Sequence, residues 1–295
     1  MAELLSPGAP SVQLPLPDLP FRELGLADLP ALLDLGADRG WAREERKWQL
    51  LMQVGTVYGA DAPDGGGLAA ALALTRYGTR LAAIGMVLTA ARYARRGLGR
   101  RAMRHALAAA EGAVVTLHAT DNGRPLYEQL GFRTVATAPM RRGVLTPDTA
   151  VDTSRVRPAR ATDLGTIREL DLAVFGADRT ALLTRLPAFC GQLLVAEGGG
   201  RLLGFAGTWQ TVGSTVIGPV VADSTATAKA LISVLAAATE GPLRLDVDSR
   251  HAELCAWLQE HGLREADWRQ SVMVYGAEQA PGDLARRFVP VTVAL

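Results

Sequence analysis

The spacing of apolar residues predicts helices and strands in turn along the first part of the chain. It indicates a strand at Phe21–Leu24, a helix at Asp28–Gly36 with Asp28 near its N-cap, and a second helix at Arg43–Met52. Two longer apolar runs, Leu68–Thr75 and Leu81–Thr89, follow three consecutive glycines and predict a β-hairpin. Residues 1–18 contain four prolines and few charges, which predicts an extended N-terminal tail.

The alternation continues after the hairpin. The pattern predicts a helix from Leu98 to about Ala110, a strand at Val114–Leu117, a helix around Tyr127 and a strand from Phe132. Together these elements complete a sheet with helices on its faces. We therefore expect one α/β domain over residues 19–146.

The same order of elements begins again after Thr146–Ser154, a polar segment typical of a linker. The tripeptide at Leu130–Phe132 is echoed by His261–Leu263, 131 positions later. We predict two tandem copies of one fold, each a mixed, mostly antiparallel sheet flanked by helices, with the second copy over 155–278. The remaining tail, 279–295, ends in the apolar run Phe288–Leu295, which we expect to dock as a strand at a sheet edge or between the domains.

Composition is that of an ordinary soluble protein. The 295 residues are 48% hydrophobic and 21% charged, which is enough for two buried cores. A net charge of +1 predicts no general affinity for nucleic acid or membranes. Cys190 and Cys255 lie far apart and follow no secretion signal, so we expect free thiols and a cytoplasmic location. Four scattered histidines form no metal-binding pattern, and no apolar run has the length of a membrane span.

Two glycines crowded by arginines stand between an apolar strand and a helix. Gly97 and Gly99 can adopt backbone angles that side chains forbid, and their N–H groups can approach an anion at the positive end of the following helix. The segment lacks the Gly-Lys-Ser/Thr of a P-loop and the third glycine of a dinucleotide fingerprint. It therefore predicts a shorter loop that binds pyrophosphate.

A second motif, Leu126-Tyr-Glu-Gln-Leu-Gly-Phe132, follows the strand at Val114. In order and spacing the two motifs together resemble the GNAT superfamily of acetyl-CoA-dependent N-acyltransferases. The resemblance implies that Tyr127 protonates the departing thiolate. It also implies a set of acetyl-CoA contacts: Val87, Leu88, Thr89, Arg95, Arg96, Gly97, Leu98, Gly99, Arg100 and Asn122. One position departs from the family pattern, because Ala94 stands where Arg or Gln usually opens the loop.

The second copy lacks both motifs. No glycine follows Val220 before Lys229, and Leu258 stands where the first copy has Tyr127. Through Gly218–Ala222 and Leu245–Val247 it resembles the degenerate acetyltransferase-like domain of some tandem GNAT enzymes. We therefore expect one acetyl-CoA per chain, bound by the first copy.

No Cys or Ser stands in a nucleophile arrangement, which indicates direct attack by an amine in a ternary complex. We predict an N-acetyltransferase that acts on a primary amine of a small molecule, without a metal, as a monomer or homodimer. The alternatives are a protein N-acetyltransferase and a non-catalytic acyl-CoA sensor. The tyrosine favours an enzyme, and a covering second domain favours a compact acceptor.

Fewer residues are candidates for contact with the acceptor than for contact with acetyl-CoA. Trp41 either forms a pocket wall or belongs to the core. Asp246 and Asp248 alternate with Val247, so both point to one face of a strand, which is either solvated or meets a cationic substrate. Glu44 is interpreted as surface charge, and His118 as structural, with a base role as the alternative. The sequence identifies no general base.

Overall fold

The computed structural model describes residues 18–295. The tail predicted for residues 1–18 lies outside this range, apart from Asp18. Fifteen strands were found in the described part of the chain: β1 Arg22–Leu24, β2 Thr56–Asp61, β3 Leu68–Tyr77, β4 Leu81–Thr89, β5 Val114–Ala119, β6 Arg133–Thr137, β7 Met140–Gly143, β8 Val156–Pro158, β9 Gln192–Gly198, β10 Arg201–Thr211, β11 Ser214–Ala222, β12 Leu243–Asp246, β13 Arg264–Glu265, β14 Ser271–Tyr275 and β15 Arg287–Val289.

Helices cover the sheet faces. Over the same residues they are α1 Leu29–Asp38, α2 Glu45–Val54, α3 Leu98–Ala109, α4 Arg124–Gln129, α5 Leu164–Phe175, α6 Thr180–Leu183, α7 Leu186–Phe189, α8 Thr225–Ala237 and α9 Ala252–Glu260. Short 3-10 turns occur at Leu26–Asp28, Ala91–Tyr93, Ala161–Asp163 and Leu284–Arg286. Each helix predicted from the apolar spacing is present, with its ends displaced by a few residues at most. The predicted hairpin is β3 and β4, and it turns at Gly78 rather than at the three glycines, which join β2 to β3.

Each sheet repeats one strand order. The first runs β1-β2-β3-β4-β5-β14-β6, and the second runs β8-β9-β10-β11-β12-β7-β13. In both, one central pair is parallel, β4 with β5 and β11 with β12, and the other neighbours along these orders are antiparallel. The two tandem α/β copies predicted from the sequence are therefore confirmed.

The two sheets exchange a strand. β7 comes from the first half of the chain and pairs with β12 and β13 of the second sheet. β14 comes from the second half and pairs with β5 and β6 of the first sheet. The ranges 19–146 and 155–278 divide the chain by sequence, but each folded sheet contains one strand from the other range.

An apolar core joins the two copies. Leu50 and Val54 of α2 and Leu81 of β4 lie in the same buried cluster as Phe205 of β10 and Val216 of β11. Separate clusters fill the space between each sheet and its own helices. Because the shared cluster holds residues from both copies, the two domains pack as one body.

The C-terminal tail completes the second sheet. β15 pairs with β11 at Val220 and Val221, beyond the two residues through which β11 contacts β12. On the other side, the carbonyl of Phe288 accepts a hydrogen bond from the Asp248 N–H at 3.3 Å. The tail therefore fills the gap where β11 and β12 diverge, and it continues to the first domain, where Ala294 lies against Gly85.

Candidate active site

The first sheet opens between its two parallel strands. β4 pairs with β5 only from Leu81 to Ala83, although β4 continues to Thr89. On its other edge β4 has a bulge against β3, and Met86 within that bulge has a positive φ of 53°. Backbone groups of β4 beyond Ala83 therefore lack a strand partner on the β5 side. Such groups require another hydrogen-bonding partner when they are buried.

The glycine loop lies at the end of this opening. Gly97 is the N-cap of α3, with a φ of 84° that favours glycine. The N–H groups of the first turn of a helix have no intrahelical acceptor and carry partial positive charge. A Cβ added at Gly99 would lie 3.2 Å from the Leu126 side chain, so the helix also needs a small residue there.

A cavity of about 820 Å³ joins the loop, the opening and α4. Its lining carries four arginines, Arg39, Arg95, Arg100 and Arg269, against two aspartates, Asp121 and Asp267. The remaining wall is formed by Gly40, Trp41, Val87, Leu88, Thr89, Ala94, Gly97, Leu98, Gly99, Thr120, Asn122, Gly123, Leu126, Tyr127 and Trp268. This excess of positive charge beside a helix N-terminus suits a phosphorylated ligand.

Tyr127 lies on the wall of this cavity and is 7% exposed. Its ring lies against Gly123 at the start of α4, where an added Cβ would be 2.9 Å from the ring. Burial raises the pKa of Tyr127 to about 12. The hydroxyl is therefore protonated at neutral pH and can act as a proton donor.

A second cavity, of about 380 Å³, lies between the two domains. Gly40, Trp41, Thr120 and Trp268 line both cavities, so the two adjoin. Residues 19–146 contribute Ala42, Glu44, Lys47, Gly85, Met86, His118, Met140 and Arg142. The rest of the chain contributes Thr211, Val212, Ser214, Arg244, Gln270, Val293 and Ala294. We call this space the acceptor cavity.

Charged groups connect the domains at this cavity. Glu44 forms an ion pair with Lys47 and accepts a hydrogen bond from Thr211. Burial opposes ionisation of Glu44, but Lys47, Thr211 and Arg244 together hold its pKa below the usual value. Arg244 in turn donates to both carboxylate oxygens of Asp246, at 3.1 and 3.2 Å. These carboxylates are therefore held by fixed cationic partners.

Comparison with known proteins identifies both halves of the chain. Residues 29–132 match a model described as the acetyltransferase (GNAT) family, and residues 167–288 match one described as an acetyltransferase (GNAT) domain. The uncharacterized N-acetyltransferase YitH of Bacillus subtilis (strain 168) is 31% identical over 90% of this chain and 94% of its own length. The chain belongs to the GNAT acetyltransferases. It is accordingly an acyltransferase.

Solved structures share this tandem GNAT fold. A candidate acetyltransferase from Pyrococcus horikoshii superposes with a TM-score of 0.79 at 19% identity, over 97% of this chain and 99% of that chain. A tandem GNAT protein from the clavulanic acid biosynthesis pathway gives a TM-score of 0.59 at 16% identity, over 89% of this chain and all of the other. At these identities the likeness concerns the fold alone.

The residues proposed for cofactor binding lie together, with one exception. Nine of the ten line the larger cavity: Val87, Leu88, Thr89, Arg95, Gly97, Leu98, Gly99, Arg100 and Asn122. Arg96 lies outside it, with its guanidinium 5.7 Å from the ring centroid of Tyr93. Arg95 takes a positive φ of 60°, and this sharp turn separates the directions of the two neighbouring arginines.

The residues proposed to contact the acceptor do not all lie on the acceptor cavity. Trp41 lines both cavities and also packs against the core. Asp246 is 3% exposed and reaches the acceptor cavity only through Arg244. Asp248 follows the end of β12, and its carboxylate accepts a hydrogen bond from Arg250. The interpretation of Glu44 as surface charge was wrong, because its side chain is 11% exposed and paired with Lys47.

Sequence reasoning did not identify the loop before β14. Trp268 and Gln270 come from the second half of the chain, yet they line the acceptor cavity because β14 is inserted into the first sheet. No local motif marks them. Within residues 18–295 no cluster of His, Cys, Asp and Glu could hold a metal ion, and no helix has the length and apolarity to cross a bilayer.

Proposed function

We propose that the protein is an N-acetyltransferase that transfers an acetyl group from acetyl-CoA to a primary amine of a small molecule. One observation carries this proposal. Tyr127 and the N-terminus of α3 line one cavity, and that cavity adjoins a second one between the domains. A bound donor and an acceptor amine could therefore meet at the shared wall near Trp41 and Thr120.

The larger cavity fits coenzyme A. The loop at Gly97 and the first turn of α3 offer N–H donors for the pyrophosphate, and Arg95 and Arg100 add positive charge. The unpaired edge of β4 at Val87–Thr89 offers backbone groups to the amides of the pantetheine arm. When bound, coenzyme A supplies the thioester that activates the acetyl group.

Tyr127 would act as the general acid. The amine nitrogen forms a bond to the acetyl carbon, the carbon–sulfur bond breaks, and the Tyr127 hydroxyl gives its proton to the sulfur. Burial shifts the pKa of a thiol upward just as it raises that of Tyr127 to about 12, so the donor and the leaving group remain comparable. The proton lost by the amine leaves through the acceptor cavity to solvent, and Tyr127 regains a proton from solvent before the next cycle.

A small acceptor fits better than a protein. The acceptor cavity is about 380 Å³, and both domains and the C-terminal residues Val293 and Ala294 form its walls. Pockets of this size hold small molecules. Walls from both domains and the tail can contact a compact acceptor on several sides, which favours a small molecule over an extended protein segment.

The second domain is proposed to bind no cofactor. The place where β11 and β12 diverge corresponds to the opening beside β4, and β15 pairs there with β11. The chain thus supplies its own strand where the first domain leaves an edge free. One coenzyme A per chain follows from this difference.

Two measurements test the proposal. The intact chain is titrated with acetyl-CoA by calorimetry, and it is then incubated with acetyl-CoA and a panel of primary amines while thiol release and product mass are followed. We expect one binding site per chain and amine-dependent thiol release with an acetylated product. Binding without amine-dependent release would support an acyl-CoA sensor, and acetylation of lysine peptides alone would support a protein acetyltransferase. A stoichiometry of two would overturn the assignment of a single site.

A further inference from the structure

Three arginines stand in register on adjacent strands of the second sheet. Arg142 of β7 is directly opposite Arg244 of β12 on one side and Arg264 of β13 on the other. Residues that face each other across neighbouring strands point to the same face of the sheet, with Cβ atoms only about 5 Å apart. Of the three, Arg142 and Arg244 line the acceptor cavity.

Like charges in this arrangement destabilise a sheet unless they are neutralised. Arg244 is neutralised by Asp246, which accepts two hydrogen bonds from it. The exposed side chain of Arg142 makes no hydrogen bond or ion pair with any of residues 18–295. The cavity wall therefore carries a guanidinium that lacks an anionic partner next to one that is already paired.

The wall of the acceptor cavity carries more positive than negative charge. Lys47 is paired with Glu44 and Arg244 with Asp246, so the charge of Arg142 is left without a negative counterpart within residues 18–295. Such a wall repels an acceptor that has only positive charge. It attracts an acceptor with an anionic group, because guanidinium groups bind carboxylate and phosphate oxygens through paired N–H donors.

Two residues that line the same cavity have buried polar atoms without partners. Nδ1 of His118 and Oε1 of Gln270 are closed to solvent and have no hydrogen-bond partner in the described structure. Gln270 is 3% exposed. A buried polar atom without a partner is costly, so a ligand that donates a hydrogen bond to Oε1 of Gln270, and to Nδ1 of His118 when Nε2 carries the proton, would be favoured. An amine is such a donor.

We infer that the acceptor is a primary amine that also carries an anionic group, a carboxylate or a phosphate. Arg142 binds the anionic group, with the paired Arg244 beside it adding positive charge, and the amine end lies toward Gln270 and His118 beside Gly85 and Met86. This inference rests on the proposed function, since it defines the substrate class of the same site.

The experiment compares acceptors in matched pairs. One set pairs ω-amino acids with the amines that lack the carboxylate, and the other pairs aminoalkyl phosphates with the corresponding amino alcohols. We expect kcat/KM with acetyl-CoA to be about 10- to 100-fold higher for the anionic member of at least one set, which is the usual worth of a hydrogen bond to a charged group. The set with the larger ratio distinguishes carboxylate from phosphate.

Variants test whether Arg142 causes the preference for acceptors with an anionic group. In Arg142→Ala the ratio of kcat/KM between acceptors with and without the anionic group should fall about 10-fold or more, and Arg142→Lys should restore part of it. Arg264→Ala is the matched control, because Arg264 lies in the same row outside the cavity lining, and it should keep the ratio.

The outcomes separate this inference from the proposed function. Equal or better acetylation of the amines that lack the anionic group would overturn the inference and leave the N-acetyltransferase proposal intact. An unchanged ratio in Arg142→Ala would also overturn it. If no amine in either set were acetylated, both proposals would fall together.

Discussion

The ring of Tyr127 lies against the backbone of Gly123, one helical turn earlier, and beside Phe132, whose ring centroid is 6.0 Å away. These contacts hold the hydroxyl on the wall of the larger cavity without help from a charged neighbour. Its pKa is raised by burial alone. The side chain is therefore positioned by packing, which a change of the hydroxyl leaves intact.

We expect Tyr127→Phe to lower kcat by roughly a hundredfold to ten-thousandfold, the usual contribution of a general acid. The affinity for coenzyme A should stay the same, because only the proton donor is removed. Steady-state kinetics and calorimetry measure the two quantities. Tyr275→Phe is the control, since Tyr275 also packs on Phe132, at 5.3 Å, but does not line the larger cavity, and it should not affect kcat. A normal kcat in Tyr127→Phe would assign the proton transfer to another group.

His118 makes the stability of the folded protein depend on pH. Burial lowers the pKa of His118 to about 4, with Asp248 opposing that shift and Arg250 adding to it. The unfolded chain, with an ordinary pKa near 6.5, then binds more protons than the folded chain between these two values. The free energy of unfolding therefore falls as the pH drops from 6.5 to 4, by up to about 3 kcal/mol from this residue.

Urea unfolding at steps between pH 7 and 4 measures this effect. In His118→Gln the decline should be smaller by the amount that His118 contributes, because Gln does not titrate. The contributions of the remaining groups are common to both proteins. Parallel declines in the two proteins would show that His118 does not titrate in this way.

At the scale of elements, α3 and the divergence of β4 from β5 produce the larger cavity. The N-terminus of α3 begins at Gly97, whose φ of 84° turns the chain so that the first-turn N–H groups face the opening. A β-branched residue avoids this backbone region, at a cost of about 1–3 kcal/mol. The loop would have to change its conformation to receive one.

Gly97→Val should therefore abolish coenzyme A binding while the chain remains folded. Gly78→Val is a matched control, because Gly78 also has a positive φ, of 63°, and open space around it, but it lies in the β3–β4 turn. Both variants should lose similar stability in thermal unfolding. Only Gly97→Val should lose binding in calorimetry, and equal binding losses in both would contradict a local role for the loop.

At the scale of the whole molecule, the C-terminal tail connects the two domains. Phe288 is 1% exposed within the second core, the Trp209 Nε1–H donates to the Val291 carbonyl at 2.8 Å, and Ala294 reaches β4 of the first domain. Loss of a buried phenylalanine alone costs about 3–5 kcal/mol. Deleting residues 287–295 should accordingly lower the melting temperature by about 6 °C or more.

The same deletion should raise KM for the amine more than the dissociation constant of coenzyme A, because Val293 and Ala294 line only the acceptor cavity. A shorter deletion, of residues 293–295, separates the two effects. It keeps β15 and should raise KM with little loss of melting temperature. Unaltered melting and kinetics after the longer deletion would refute both roles of the tail.

The exchange of β7 and β14 between the two sheets is also a property of the whole molecule. Halves cut in the linker would each lose one strand to the other, so binding experiments need the intact chain. The exchange also brings Trp268 and Gln270 to the first domain and Arg142 to the second. The acceptor cavity is thus formed only when both copies are folded together.

Local patterns in the sequence were sufficient to predict the main elements of the first copy and to propose residues for cofactor binding. Apolar spacing, the two glycines and the Leu126–Phe132 motif lie within single strands, loops and helices, so the chemistry of neighbouring residues determines them. The tandem repeat was readable for the same reason, since each copy has its own order of elements. Tyr127 and nine of the ten proposed cofactor residues consequently lie on one cavity.

Only the tertiary structure determines which residues form the acceptor cavity. Glu44, Arg142, Arg244 and Gln270 come from distant parts of the chain and meet because two strands are exchanged and one tail fills a gap. Such pairings depend on which sheet edges remain open after each copy folds, and no periodicity along the chain records that. The sequence therefore determined where the acetyl donor is expected to bind, whereas the packing of the two domains determined what surrounds the acceptor.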